Sequence, residues 1–302
     1  MSKLRAWLNA ARLRTLPLSI AGIMVGTAIA GIYGHNNIGI FLLSLFTTVG
    51  FQITSNFAND YGDGVKGTDN VDRVGPKRAL QSGILLKKEL KRGILISVGL
   101  NFILVFLLLY TAFGSGQVGY LLFFMGLGAA SVWAAIYYTI GSSAYGYKGL
   151  GDVFVFIFFG WVAVLGSLFL YTKFIPMEAL LPATSIGLLS VGVLNLNNLR
   201  DHRSDAKSGK NTLVVKMGYG YAKIYHYGLL LTAFSCMLAF CTLFYKGWIT
   251  FLPLLAFVPI IVHLRTVYGT GDPALLDPEL KKLALSTFLL ALFFYLTFDI
   301  FL

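Results

Sequence analysis

The sequence predicts an all-α, polytopic membrane protein, and three observations carry that prediction. Hydrophobic residues make up 57% of the 302, charged residues only 12%, and the mean hydropathy is +0.74. A soluble domain carries roughly 25% charged residues. Apolar runs of about 20 residues, the length that crosses a bilayer as a helix, recur along the whole chain. The basic residues segregate to one side when successive loops are assigned alternately. Only Lys173 and Lys246 fall on the other side, leaving 22 of the 24 Lys and Arg on the first. That asymmetry is the positive-inside pattern and puts the N-terminus and the long loops in the cytoplasm. It also explains the net charge of +11 without invoking nucleic acid.

Nine spans are expected, over 16–34, 38–59, 93–113, 117–140, 152–172, 178–199, 224–245, 248–268 and 283–301. They form one transmembrane domain over 1–302, with no soluble domain and no low-complexity segment. The basic N-terminus before an apolar run resembles a signal peptide, but no small-residue cleavage site follows, so the first helix is expected to be retained. The eighth segment is the least regular, carrying Pro253, Pro259 and His263. Proline is tolerated in a spanning helix when neighbours satisfy the freed carbonyls. Cys236 and Cys241 lie in one apolar segment and fit no disulfide framework or metal motif. His35, His202, His226 and His263 show no ligand spacing.

Two polar blocks interrupt this pattern. The first runs from Asn56 to Asp69, the second from Asn195 to Asp205, and each ends an even-numbered span on the cytoplasmic side. A long basic loop follows each, and four helices separate them. The chain therefore reads as a parallel duplication of a four-helix unit around a central cavity, with a ninth helix added. Carboxylates at that depth are costly unless something binds them and mark a functional site by default.

If each block continues its helix, Asn56, Asn59, Asp60 and Asp63 share one face at i, i+3, i+4 and i+7. Asn197, Asp201 and Asp205 do the same at steps of four. Hard oxygen donors of this kind suit Mg²⁺, which takes carboxylates, waters and substrate phosphate oxygens. Asp60, Asp63, Asp201 and Asp205 are the expected ligands and catalytic groups, with Asn56, Asn59, Asp69 and Asn197 as further candidates. Gly62, Gly64 and Gly67 loosen the first helix, so Asp69 is expected to arrive from a turn. Lys66, Arg73, Arg78, Arg200 and Lys210 follow the acids and are the expected diphosphate contacts, because Arg and Lys bind phosphate by charge-assisted hydrogen bonds. Arg14, Tyr138, Tyr145 and Lys148 border the same region from the first helix and the loop after the fourth. They are assigned to an acceptor, whose carboxylate needs a cation or hydroxyl partner once out of water. Rings of the Phe-rich run 154–159 are expected to pack in the core, some of them lining a cavity.

These blocks resemble the two aspartate-rich motifs of the UbiA superfamily of intramembrane aromatic prenyltransferases. Supporting segments are Ala11-Arg12-Leu13-Arg14-Thr15-Leu16-Pro17, Gly75-Pro76-Lys77-Arg78-Ala79, Tyr145 to Asp152, and Gly209-Lys210-Asn211-Thr212-Leu213. They match best the branch that acts on 1,4-dihydroxy-2-naphthoate in menaquinone biosynthesis. Gly67 stands where the general first motif has its last acid, and Asp69 follows two residues later, as is usual in that branch. The resemblance implies a Mg²⁺-dependent enzyme of the cytoplasmic membrane, its site facing the cytoplasm. It implies that a polyprenyl diphosphate enters from membrane lipid and that its allylic cation alkylates the naphthoate. Carbon dioxide is then lost, giving demethylmenaquinone. Other acceptors stay open, namely 4-hydroxybenzoate, homogentisate or a porphyrin derivative. A transporter of divalent cations or organic phosphates is the rival class, but transporters hold their site near the bilayer midplane. Here both clusters sit at one face.

Overall fold

The computed structural model describes residues 2–69 and 78–302; Arg73 and Lys77 lie outside the described residues, as does the side chain of Arg14. Among the described residues every regular element is helical. Of the described helices, eight are long and apolar enough to cross a membrane: α3 (Ile38–Lys66), α4 (Lys87–Phe113), α5 (Val118–Tyr137), α6 (Gly151–Thr172), α7 (Met177–Lys207), α8 (Tyr219–Leu243), α9 (Trp248–Gly269) and α10 (Pro273–Phe301). A ninth span results if α1 (Lys3–Ala11) and α2 (Leu16–Ile32), bent by 44°, count as one. The described helices therefore give eight or nine spans in the expected order.

Several boundaries differ from those expected, α4 starting at Lys87 and α10 at Pro273 among them, and three differences have a clear physical reason. Helices α3 and α7 run about two turns beyond the apolar segments, to Lys66 and Lys207, because their polar residues are held by neighbours rather than by water. Helix α3 ends at Gly67, whose φ of 75° suits a residue without a side chain. Helix α9 begins as a tight 3₁₀ stretch over Trp248–Ala256 that contains Pro253, and only then becomes α-helical. The missing amide of Pro253 is a loss the short, tight winding absorbs. Helix α1 was not expected, being too short and too polar for a span. It is amphipathic: Ala6 and Ala10 are fully buried while Leu4 is 71% exposed. Its Trp7 ring packs edge-on against Phe57 of α3, and Gly93 of α4 leaves the room for it.

Helices α2–α5 and α6–α9 form the two halves, and α10 closes the ring by packing on α2 and α7. The most enclosed span is α7, which packs against α6, α8 and α10. Close crossings are made by small residues, as in other membrane bundles, where backbones must approach to gain packing. At Gly160 of α6, an added Cβ would lie 2.7 Å from the Cα of Gly187 and 2.8 Å from the carbonyl oxygen of Ala183. Both obstacles are α7 backbone and cannot rotate away. Gly160→Val should therefore cost at least about 2 kcal/mol and lower the melting temperature in detergent. Gly99→Ala, where a Cβ meets open space, serves as the control and should leave it unchanged.

Within α6 the residues Phe156–Gly166 wind more widely, as a π-helix. Wider winding brings positions four and five apart onto one face. Phe154, Phe158, Phe159, Val162 and Ala163 consequently all line one cavity, while Phe156 turns away toward Trp161 and Gly187. The wider turn is what lets these closely spaced rings share one face.

Candidate active site

A cavity of about 460 Å³ runs from the C-terminal ends of α3 and α7 down between the two halves. Its upper wall is polar, formed by residues of both motifs. Its lower wall is apolar, formed by Leu108, Phe124, Phe158, Phe159 and Leu170. The shape therefore joins a charged head site to a hydrophobic channel.

Helix α3 delivers the first motif. Asp63 is 6% exposed and accepts a hydrogen bond of 2.8 Å from the Tyr147 hydroxyl. Thr68 and Tyr147 share a second hydrogen bond of 2.6 Å between hydroxyls. Helix α7 delivers the second motif, with Asp201 and Asp205 both buried. The Lys210 ammonium lies between the motifs, 3.9 Å from Asp63 and 4.0 Å from Asp205. Burial opposes its charge, but those two carboxylates win and hold it above the ordinary lysine range. Two carboxylates from opposite halves thus already share one cation.

Asp60 is placed differently. It is 1% exposed and does not line the cavity. Its carboxylate meets Arg12 at 2.6 Å and Arg78 at 3.3 Å and accepts from the Ala79 amide at 3.3 Å. Arg12 reaches it from the end of α1 with a left-handed φ of 52°, a conformation a non-glycine residue holds only when its surroundings demand it. Arg78 also stands 3.7 Å from Asp69. Burial and the adjacent Arg12 guanidinium draw Arg78 down to about 10, against the pull of Asp60, Asp69 and Asp63, so it is still a cation at neutral pH.

The amides have structural duties. Asn56 donates to the Ala11 carbonyl at 2.8 Å, pinning the end of α1, and accepts from Gln52. Asn59 accepts from Thr139, which reaches α3 because Gly62 leaves no side chain in its way. Arg200 is 3% exposed and spends its donors on protein: Asp201 at 2.6 and 2.9 Å, Asn197 at 2.9 Å and Asp277 at 2.5 Å.

The loop after α5 only partly follows the expected map. Tyr138 and Tyr145 line the cavity. The Tyr145 hydroxyl donates to the Ala134 carbonyl at 2.7 Å, and its ring stacks on Phe154 with centroids 3.9 Å apart, so it presents a ring face rather than its hydroxyl. Lys148 does not enter: its ammonium is exposed, bonded to Ser143, and it is absent from the cavity wall. Tyr147 points inward instead. Burial and the nearby Asp63 push its phenol above the ordinary range, keeping it a donor. Lys66 lies outside the cavity, its ammonium 4.0 Å from the centre of the Tyr147 ring. Sequence reasoning missed Arg12, Tyr147 and Asp277 as members of the site. Arg12 and Tyr147 each neighbour residues that were chosen. Asp277 lies at the start of the last helix, outside both motifs.

Among the described residues no three His, Cys, Asp or Glu side chains converge closely enough to hold a metal by themselves. The side-chain atoms facing the cavity that could ligate a metal are oxygens, those of Asp63, Asp201 and Asp205 among them, with no His or Cys in the described lining. Such a set fits Mg²⁺, which is bound through one or two carboxylates with waters and substrate phosphate oxygens completing the shell.

Comparison with known proteins agrees with this architecture. The model of the UbiA prenyltransferase family matches residues 19–277. A 1,4-dihydroxy-2-naphthoate octaprenyltransferase from Escherichia coli (strain K12) is 42% identical over 300 residues, covering 98% of this chain and 96% of the relative. One of the same name from Haemophilus influenzae is 41% identical over 297 residues, covering 97% and 96%. Among solved structures, a UbiA homologue from Archaeoglobus fulgidus bound to DMAPP and Mg²⁺ superposes with a TM-score of 0.64 over 95% of this chain and 99% of that one, at 14% identity. That likeness concerns the fold. A match across most of the chain, with relatives above 40% identity over nearly their full length, places the protein: it belongs to the UbiA prenyltransferase family of integral membrane enzymes.

Proposed function

We propose that this enzyme transfers a polyprenyl group from polyprenyl diphosphate to 1,4-dihydroxy-2-naphthoate, with loss of carbon dioxide, yielding the reduced form of demethylmenaquinone. The observation that carries the donor half is Lys210 held between Asp63 and Asp205 at the head of an apolar channel. The acceptor half is supported by near full-length similarity to relatives named for that naphthoate.

Asp63, Asp201 and Asp205 would hold Mg²⁺, with Asp60 fixing the guanidinium layer behind them. When bound, the metal would neutralise charge developing on the leaving diphosphate. Lys210 and Arg78 bind diphosphate oxygens. The carbon–oxygen bond of the donor breaks and its electron pair leaves with diphosphate. The rings of Phe154, Phe158, Phe159 and Tyr145 shelter the allylic cation in a site from which water is excluded. A ring carbon of the electron-rich naphthoate attacks, and departure of the carboxylate as carbon dioxide restores aromaticity. Tyr138 borders the acceptor.

Purified protein supplied with one prenyl diphosphate and a panel of acceptors tests the reading. The naphthoate should give a product lighter by carbon dioxide than the simple adduct. Preferential use of 4-hydroxybenzoate or homogentisate would reassign the acceptor and leave the donor half standing. Orientation is a separate proposal: the site faces the cytoplasm of the cell membrane. Reporter fusions at Leu302 and after Gly114 should both report the outside; a cytoplasmic signal at either would overturn it.

A further inference from the structure

We propose that Asp277 of α10 is a positioning residue for the second motif, and that Arg200 serves Asp201 as a clamp rather than contacting diphosphate. This inference rests on the donor-site reading above. Arg200 donates to Asp201 through two nitrogens, Nε at 2.9 Å and Nη2 at 2.6 Å. Its Nη2 also donates to Asn197 at 2.9 Å, and its Nη1 donates to Asp277 at 2.5 Å. A guanidinium is a planar fork, and a fork gripped on one edge by Asp201 and at its other end by Asp277 has its orientation fixed. At 3% exposure it has little surface left to offer a phosphate. Asp277 lines the same cavity as Asp201 and retains 40% of its side-chain exposure.

The helix that carries Asp277 is itself pinned. Two residues on, Glu279 is 5% exposed and accepts from His263 Nδ1 at 2.6 Å, and His263 Nε2 lies 2.9 Å from His226 Nε2. These contacts tie α10 to α9 and α8 beside the clamp. Asp277 has a second effect besides orientation. Its negative charge offsets part of the Arg200 charge, so Asp201 retains more attraction for a metal cation than it would beside an isolated guanidinium. Loss of Asp277 should then weaken metal binding, whereas loss of a diphosphate contact should weaken anion binding even without metal.

Titration of Mn²⁺ by electron paramagnetic resonance, with an unreactive prenyl thiodiphosphate present, separates these cases without turnover. Binding of the same analogue in EDTA gives the metal-free arm. Asp277→Asn should raise the Mn²⁺ midpoint about tenfold without weakening metal-free binding, while Asp277→Glu should stay within about threefold of the wild type. Arg200→Lys should raise the midpoint similarly. Since Asp277 is partly exposed, the Asn variant should elute as the wild type does in detergent. An unchanged Mn²⁺ midpoint in Asp277→Asn overturns the inference, as does metal-free binding that weakens in Arg200→Lys or in Asp277→Asn. Failure of the wild type to bind the analogue with metal would instead overturn the donor-site reading, and this inference with it.

Discussion

Replacing Asp63 by Ala lowers kcat/KM for the prenyl diphosphate by a hundredfold or more, on the order of 3 kcal/mol in barrier. Asp63 is the first-motif carboxylate that both lines the cavity and shares Lys210 with the second motif. Its removal takes away a hard oxygen donor and leaves the Lys210 ammonium with Asp205, 4.0 Å away, as its one remaining carboxylate of that pair. The Tyr147 hydroxyl loses its acceptor as well. Steady-state rates at saturating Mg²⁺ check this, and a rate near wild type would remove Asp63 from the site. Asp69→Ala should be milder, within about tenfold, because Asp69 stands off the helical face, beyond Gly67, beside Arg78 at 3.7 Å.

The second large effect is expected at Asp60 and is of another kind. Asp60 stands behind the cavity wall and neutralises two guanidiniums, Arg12 and Arg78. Asp60→Ala leaves both cations facing one another with no carboxylate between. Removing one partner from a buried ion cluster costs on the order of 3 kcal/mol. Both stability and turnover should fall, the melting temperature in detergent along with the rate. Arg12→Ala should be less harmful to stability, since Arg78 remains on Asp60, yet it frees the end of α1 and should still slow turnover. If Asp60→Ala melts like the wild type while losing activity, Asp60 contacts the reacting groups directly, and the layered arrangement is wrong.

Much of this architecture is legible in the sequence because a bilayer leaves few choices. Long apolar runs must be helices, since no water is present to satisfy an open backbone, and the basic loops fix their order. The two acid motifs are legible because charge at a span's end stands out against an apolar background. Side-chain direction is another matter. Lys148 and Tyr147 are adjacent in sequence, and only the 3₁₀ turn over Tyr145–Lys148 decides that Tyr147 faces Asp63 while Lys148 faces solvent. Asp60 and Asp63 share a helical face by spacing, yet Arg12 and Arg78 cover one and leave the other open. Helix α1 carries Arg12 but is too short for any apolar-run criterion. Asp277 lies outside both motifs, and its closeness to Asp201 follows from how α10 packs on α7. Each of these depends on tertiary packing, which the spacing of residue types along a chain does not encode.

The central claim is that carboxylates from two halves of the membrane domain hold a prenyl diphosphate through a divalent cation. Release of inorganic diphosphate from a prenyl diphosphate by the purified enzyme, with 1,4-dihydroxy-2-naphthoate present, measures this most directly. Release should stop in EDTA, return when Mg²⁺ is added in excess, and keep pace with prenylated product. Release of equal rate in EDTA, or none at all with Mg²⁺ and both substrates present, would contradict the account.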